Sequence, residues 1–251
     1  MNVFINIIQK NAAGFLAGAL TTMEVALLGT IIGSAIGLLI GVVKTIPVKE
    51  TDIFIKRVFF KIINTILTVY IEIFRGTPMI IQAVIIFYGA AQLFGIHMEM
   101  LYAGIMIVSI NTGAYMSEIV RGGINSIDKG QFEAAHAIGM SHGQTMFNII
   151  LPQTIRNILP ATSNEFVINI KDTAVLNVIG LSELFFKTKG IYGKNLLYYQ
   201  TALIACAIYF ILTFATTRIL RLIEKKFRGS ESYAVVDSQE KRANAENIKE
   251  G

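Results

Sequence analysis

The sequence predicts an all-α membrane protein, and three observations carry this prediction. Of the 251 residues, 53% are hydrophobic and only 16% are charged, whereas about a quarter of the residues in a soluble domain are charged. The mean hydropathy is +0.58, so lipid must replace water as the solvent around much of the chain. The apolar runs lack the alternating pattern of membrane β-strands, and backbone amides in lipid must pair within their own segment, which favours helices.

Five apolar runs are long enough to cross a bilayer, because a hydrocarbon core of about 30 Å needs about 20 residues of helix. They cover residues 21–43, 62–91, 101–120, 157–179 and 197–219. The second run is interrupted at Arg75-Gly76-Thr77-Pro78. We therefore expect five transmembrane helices within a membrane domain of residues 1–228. Residues 229–251 are polar, charged and aperiodic, which predicts a disordered cytoplasmic tail.

The orientation in the membrane follows from Lys and Arg, which concentrate on the cytoplasmic side. Lys44, Lys49, Lys56, Arg57 and Lys61 follow the first run, and Arg218, Arg221, Lys225, Lys226 and Arg228 close the fifth. Both clusters are expected inside, which places the N-terminus outside, the C-terminus inside and the segment 121–156 inside. Lys187, Lys189 and Lys194 oppose this assignment, since they fall on the expected outer side.

Several functions are excluded by the residues that the chain contains. Its single cysteine, Cys206, cannot form an intramolecular disulfide, and its three histidines do not match the spacing of a metal site. No arrangement of serine, cysteine or histidine resembles a nucleophile and its base, so we expect neither catalytic residues nor an enzyme. The net charge of +5 lies beside the apolar runs and not in a basic stripe with aromatics, which argues against a nucleic acid partner.

The first apolar run carries a ridge of glycines at helical spacing. Its members are Gly29, Gly33, Gly37 and Gly41. Small residues in such a row let a second helix approach the backbone closely. The ridge fits packing against another subunit or packing within one subunit, and the second is favoured.

The segment between the third and fourth runs contains a short helix that is suited to docking. Residues 131–138 are rich in alanine, Asp128 is placed to cap the helix, and Gly139 is placed to end it. Alanines permit close approach, and apolar or acidic side chains could anchor a partner. The residues expected to contact the partner in this way are Phe132, Glu133 and Ile138.

This segment, residues 131–152, resembles the EAA motif of ABC importer permeases, EAA-x3-G-x9-I-x-LP, at every fixed position. The matching residues are Glu133, Ala134, Ala135, Gly139, Ile149, Leu151 and Pro152. Three further stretches are similar to the polar amino acid branch of these permeases, the histidine and glutamine systems: Arg75-Gly76-Thr77-Pro78, Asn164-Glu165-Phe166 and Lys171-Asp172-Thr173. The chain departs from that branch at Ala174, where relatives often have serine.

The resemblance implies a function and a set of partners. Two permease subunits, identical or related, would form the pathway, and each would place its EAA helix in a groove of a cytoplasmic ATPase dimer. An extracytoplasmic binding protein would deliver a polar amino acid to this multi-pass protein of the bacterial cytoplasmic membrane. ATP and Mg²⁺ would bind the ATPase, because this chain holds no G-x4-G-K-[ST] loop and residues 190–195 fail its spacing. We therefore expect no cofactor on this chain.

Polar residues within the apolar runs are candidates for substrate binding, since charges in a bilayer call for an explanation. Glu165 suits the ammonium group of an amino acid, and Arg75, beside a helix that starts at Pro78, suits its carboxylate. The further candidates are Gly76, Thr77, Gln82, Asn169, Lys171, Asp172 and Thr173. In the alternative interpretation the charged groups make structural hydrogen bonds, and Arg75 reaches the cytoplasmic interface. Packing is the favoured role for Gln82, Asn111 and Glu118.

A different class of function stays open at this point. An ion channel or a gradient-driven secondary transporter also uses intramembrane charges and broken helices. Such a protein needs no ATPase, and the EAA helix would then have no purpose. The two interpretations differ in a measurable property, because only the importer permease needs ATP hydrolysis by a partner.

Overall fold

The computed structural model describes residues 2–48 and 50–228, and every regular element in these ranges is helical. The α-helices are α1 (Asn2–Lys44), α2 (Phe54–Gly76), α3 (Met79–Phe94), α4 (Met100–Asn125), α5 (Lys129–Ala137), α6 (His142–Thr145), α7 (Leu151–Asp172), α8 (Leu184–Asn195) and α9 (Tyr198–Arg228). A π-helical turn, Met146–Ile150, precedes α7, and a 3₁₀ helix, Thr173–Ile179, follows it. The all-helical prediction is confirmed for this part of the chain, whereas the tail predicted at 229–251 lies outside the described residues.

The glycine ridge of α1 packs against α4 of the same chain. Gly29, Gly33, Gly37 and Gly41 face Val108, Thr112, Met116 and Val120 in that order. A Cβ atom built on any of the four glycines would lie less than 3.0 Å from an α4 side-chain atom, closer than real side chains approach. The ridge thus serves packing within one subunit, which is the favoured of the two alternatives.

Replacing Gly37 by leucine is expected to destabilise the α1–α4 pair by roughly 1–3 kcal/mol, the usual penalty for overpacking a close-packed interior. The apparent unfolding temperature of the purified protein, followed by circular dichroism, should fall. Gly14→Leu is the matched control, because Gly14 lies on the same helix and a Cβ built on it meets nothing within 4 Å. Equal unfolding temperatures for the two variants would contradict the close contact.

Three clusters of buried apolar side chains hold the helices together. The first joins α1, α3, α4 and the 3₁₀ helix around Ile107 and Leu176. The second, which we call the inner cluster, joins α4 to the π-helical turn and α7. It consists of Val120, Ile124, Ile127, Met146, Ile150 and Leu151. The third joins the first half of α1 to α8 and α9 around Phe15.

α1 begins well before the first predicted span. It contains 43 residues, which correspond to about 65 Å at 1.5 Å per residue, roughly twice the thickness of a hydrocarbon core. The predicted span 21–43 covers only its second half. The first half packs Ile7 and Phe15 against α8 and α9, so the predicted start of this helix was too late.

The helix axis bends by 114° from α2 to α3, across Thr77 and Pro78. Pro78 directly precedes the first residue of α3, a position where a missing N–H leaves no helical hydrogen bond unmade. The interruption predicted within the second apolar run is found at this point.

Helix length and composition alone give fewer membrane spans than the five predicted from the sequence. α1, α4 and α9 each qualify as a membrane-spanning helix, and α2 with α3 counts as a fourth if the bent pair is one span. The run predicted at 157–179 is divided between α7 and the 3₁₀ helix, and neither qualifies. The described residues therefore contain three or four candidate spans, and the total of five stays a prediction.

Candidate functional site

α5 has a defined residue at each of its ends. The Asp128 side chain accepts a hydrogen bond from the Gly130 backbone N–H at 2.6 Å, which caps the start of the helix. Beyond the end of the helix, the Gly139 N–H donates to the His136 carbonyl at 3.0 Å, and Gly139 has a left-handed φ of +82°. Glycine adopts this conformation without a steric penalty. The helix predicted at 131–138 corresponds to α5.

The two faces of α5 differ in what they contact. Ala135 is buried, and Phe132 packs against the inner cluster. Glu133 and Ala134 are exposed, and Ile138 is 78% exposed although it is apolar. Of the two expected apolar anchors, Ile138 faces away from the chain, whereas Phe132 is half-buried against the inner cluster; contact of either residue with a partner stays a prediction.

The rest of the motif connects α5 to α7. Leu151 belongs to the inner cluster, Ile149 packs against that cluster, and Pro152 is exposed in the first turn of α7. Ser141 and Gln144 form a capping box at the start of α6, which fixes the turn between the two parts. α5 is therefore joined to α7 by packed side chains and a capped turn.

A hydrogen-bond network connects α2 and α3 across the break between them. Gln82 Nε2 donates to the Phe74 carbonyl, the Thr77 carbonyl and Thr77 Oγ1, each at 2.9 Å. Asn111 Nδ2 donates to Gln82 Oε1, also at 2.9 Å. Carbonyls at the end of a helix lack helical partners, and Gln82 supplies donors to two of them. The structural role that was favoured for Gln82 and Asn111 is found, and Thr77 belongs to the same network.

Arg75 lies in the last turn of α2 and is exposed. Its guanidinium carbon is 5.5 Å from the centre of the Tyr115 ring, within the range of a cation–π interaction. It forms no salt bridge with any described residue. Gly76 beside it is exposed, and a Cβ built there meets nothing within 4 Å. The Arg75 guanidinium is therefore accessible to an anionic group.

Two further candidates, Asn169 on α7 and Thr173 at the start of the 3₁₀ helix, are engaged inside the chain. Asn169 is buried, and its Nδ2 donates to Thr30 Oγ1 at 2.8 Å and to Thr112 Oγ1 at 2.9 Å. Thr173 is fully buried and donates to the Ile170 carbonyl at 2.9 Å. Asn169 thus ties α7 to α1 and α4, a network that the sequence analysis missed.

Glu165 is the buried acid of α7. It is 8% exposed, and it makes no hydrogen bond or salt bridge with any described residue. Asp172, two helical turns further along, is exposed and close enough to act on Glu165 electrostatically. Lys171 is exposed and lines a cleft with α9. The Glu165 oxygens are not among the fully buried, unpaired side-chain atoms of the described residues. Glu165 is therefore an acid of α7 whose carboxylate is reachable and free to pair with a ligand.

Glu118 is held by partners from two helices. Arg121 Nη2 pairs with Glu118 Oε2 at 2.6 Å, and Lys44 Nζ of α1 lies 3.9 Å from Glu118 Oε1. Lys44 Nζ also donates to Thr68 Oγ1 of α2 at 3.1 Å. This cluster joins α1, α2 and α4, so packing is the role found for Glu118.

Glu183 and His142, which lie outside the membrane-spanning helices, have shifted pKa values. Burial raises the pKa of the Glu183 carboxyl, and hydrogen bonds from two backbone N–H groups of α8 and from the Tyr209 hydroxyl oppose this rise. Burial, and next the electrostatic effect of the neighbouring His136 ring, lower the pKa of His142. Glu183 caps α8 and ties it to α9. The sequence analysis missed this role, although an acid directly before a helix is a capping signal.

The chain is similar to known proteins over most of its length. The family model "Binding-protein-dependent transport system inner membrane component" matches residues 53–229. The arginine transport system permease protein ArtQ of Bacillus subtilis (strain 168) is 34% identical over 201 residues, which cover 80% of this chain and 88% of ArtQ. The putative glutamine transport system permease protein GlnP of Rickettsia bellii (strain RML369-C) is 35% identical over 209 residues, which cover 83% of this chain and 90% of GlnP.

A solved structure is similar as well. The crystal structure of an amino acid ABC transporter with histidines superposes with a TM-score of 0.77 at 34% identity, and the match covers 89% of this chain and 98% of that chain. This chain therefore belongs to the family of inner membrane components of binding-protein-dependent transport systems. The prediction of a permease subunit of an ABC amino acid importer is confirmed. The alternative of a channel or a gradient-driven transporter gains no support from these similarities.

Proposed function

We propose that this chain pairs with a second permease subunit, identical or related, and imports a polar amino acid across the bacterial cytoplasmic membrane. It crosses the bilayer five times, with its N-terminus outside and its C-terminus inside. A cytoplasmic ATPase dimer binds ATP and Mg²⁺, and an extracytoplasmic binding protein delivers the substrate. The identities with arginine and glutamine permeases support this assignment, as does the family, whose members work with a binding protein.

In this proposal α5 is the coupling helix that docks in the ATPase. Its outward residues, Glu133, Ala134 and Ile138, combine an acid, a small contact and an exposed apolar anchor, which suits a helix that lies in a groove. Its inward residue Phe132 packs on the inner cluster, to which α4 and α7 contribute. Closure of the ATPase dimer moves α5, and the packed cluster passes this movement to α7. The packing of Phe132 is the observation that carries the proposed coupling.

The substrate site is proposed on the face of α7 that carries Glu165 and Asp172. Glu165 accepts the ammonium group of the amino acid, and Arg75 binds the carboxylate in a charge-assisted contact. The lack of a hydrogen-bond or salt-bridge partner for Glu165 among the described residues supports its role. The remaining candidates act as a frame, because their side chains are engaged within the chain: Thr77, Gln82, Asn169 and Thr173. Gly76 leaves backbone accessible beside Arg75.

The deciding experiment reconstitutes this chain with its ATPase and binding protein in lipid vesicles and measures uptake of each labelled amino acid. Uptake is expected to require ATP and the binding protein together, and the chain alone should hydrolyse no ATP. A proton or sodium gradient imposed without ATP should drive no uptake. Uptake that follows such a gradient in the absence of the ATPase would replace this proposal with a secondary transporter.

A further inference from the structure

A cleft of about 280 Å³ lies between α7 and α9. Lys171 contributes to the α7 wall, and the α9 wall contains two aromatic and two basic side chains. These are Phe210, Phe214, Arg218 and Arg221. Neither the coupling role nor the substrate role proposed above makes use of the α9 wall.

The lining of this cleft carries more positive than negative charge, although Asp172 lies close enough to Lys171 to act on it electrostatically. Lys171, Arg218 and Arg221 line it, and no acidic side chain does. None of the three forms a salt bridge within the part of the chain that the structure describes. Glu224 lines an adjoining cleft together with Arg221, yet the two do not pair. Because three cations line one cleft and no acidic side chain does, the cleft attracts a negatively charged ligand.

The apolar part of the lining suits a hydrocarbon chain. The Phe210 and Phe214 rings stack with 5.7 Å between their centres, and the Arg218 guanidinium lies 4.8 Å over the Phe214 ring. Phe210 is 64% exposed. Along α9 the aromatic residues come first and the arginines follow within two turns, so the α9 wall changes from apolar to basic along the helix axis, with Lys171 opposite the aromatic part. A phospholipid has the same order from its chains to its headgroup.

We propose that this cleft binds an anionic phospholipid, with its phosphate among Lys171, Arg218 and Arg221 and a chain along Phe210 and Phe214. The proposal rests on the orientation proposed above, in which the two arginines lie at the cytoplasmic leaflet, where anionic lipids attract Lys and Arg. A soluble phosphate ion would neutralise the cations but would leave the two rings uncovered. A second permease subunit would need an acidic and an apolar surface together at this place.

The test uses the assembled importer in nanodiscs of equal parts phosphatidylcholine and phosphatidylglycerol, and native mass spectrometry counts the phosphatidylglycerol retained on release. Retention of the lipid is expected to fall about fivefold for each positive charge that is removed. Arg218→Gln/Arg221→Gln removes two charges and should lower retention by two such factors, and Lys171→Gln on the opposite wall removes one and should lower it by one. Arg218→Lys keeps the charge and should retain the lipid. Lys225→Gln/Lys226→Gln is the matched control, since it removes the same charge from the same helix outside the cleft.

Equal losses of lipid retention in Arg218→Gln/Arg221→Gln and in Lys225→Gln/Lys226→Gln would show that the lipid responds to the general surface charge of α9 and not to the cleft. That result would overturn the proposal. Unchanged retention in Lys171→Gln would do the same. Displacement of the lipid by inorganic phosphate in detergent would identify a soluble anion as the ligand, and loss of the second subunit with unchanged lipid would identify a subunit contact. Because retention is measured without substrate or ATP, its failure is separate from failure of the uptake assay.

Discussion

Gly139→Ile is expected to lower ATP-driven uptake about tenfold or more while the importer still assembles. Gly139 has a φ of +82°, a region that is a strong outlier for a β-branched residue and that costs an ordinary residue about 1–2 kcal/mol. The turn after α5 must then rearrange, which displaces Ile138 from its outward position. Since about 1.4 kcal/mol corresponds to a factor of ten, uptake should fall at least about tenfold in the vesicle assay.

Two controls separate displacement of α5 from general damage. Gly143→Ile makes the same replacement in α6, where the φ is not positive and a built Cβ meets nothing within 4 Å, and uptake should stay close to that of the unchanged importer. Gly139→Asn should recover most of the activity, because asparagine tolerates the left-handed region. Complex recovered by size-exclusion chromatography should be equal in all three variants. Normal uptake by Gly139→Ile would remove α5 from the coupling mechanism.

The start and the end of α5 could be predicted closely, because the residues that determine them act locally. Asp128 caps α5 through a residue two positions away, and Gly139 ends it by its own backbone conformation. The direction of Phe132 could not be predicted, because it depends on how α5 packs against α4 and the π-helical turn. A short alanine-rich helix offers apolar side chains on both faces, and only tertiary contacts decide which of them is covered.

The internal hydrogen bonds of the membrane domain were beyond prediction for a related reason. Asn169 bonds to Thr30, 139 residues earlier in the chain, and to Thr112, 57 residues earlier. Polar residues in apolar helices commonly bond to their own backbone, so no local pattern distinguishes a threonine that binds a distant amide. The same limit made Asn169 a candidate for substrate binding.

The first half of α1 was missed because the search for spans depended on apolar content. Asn6, Gln9, Lys10 and Asn11 dilute the residues before position 21. This half is nevertheless helical, with Ile7 and Phe15 packed against α8 and α9, and the Asn11 side chain bonds back to the Ile7 carbonyl at 2.9 Å. Packing against α8 and α9 therefore stabilises the first half of α1, which hydropathy alone does not predict.

Glu165→Gln is expected to lower uptake of the amino acid by roughly ten- to a hundredfold. The replacement keeps the size of the side chain and removes its charge, and a hydrogen bond to a charged group contributes about 1.5–3 kcal/mol. Assembly and unfolding temperature should stay equal, because Glu165 has no hydrogen-bond or salt-bridge partner among the described residues that the replacement would remove. Uptake in vesicles and ATP turnover stimulated by substrate and binding protein measure the loss of transport. The amount of assembled complex and its unfolding temperature measure whether the structure is retained.

Two further variants give this prediction its contrast. Glu24→Gln neutralises an exposed acid of α1 and should leave uptake unchanged. Asn169→Ala removes both hydrogen bonds to Thr30 and Thr112, so the amount of assembled complex should fall while each remaining complex transports normally. A loss of assembly in Glu165→Gln that matches its loss of uptake would make Glu165 a structural residue like Asn169. An unchanged uptake in Glu165→Gln would place the ammonium group of the substrate elsewhere along α7, with Asp172 as the remaining acid on that face.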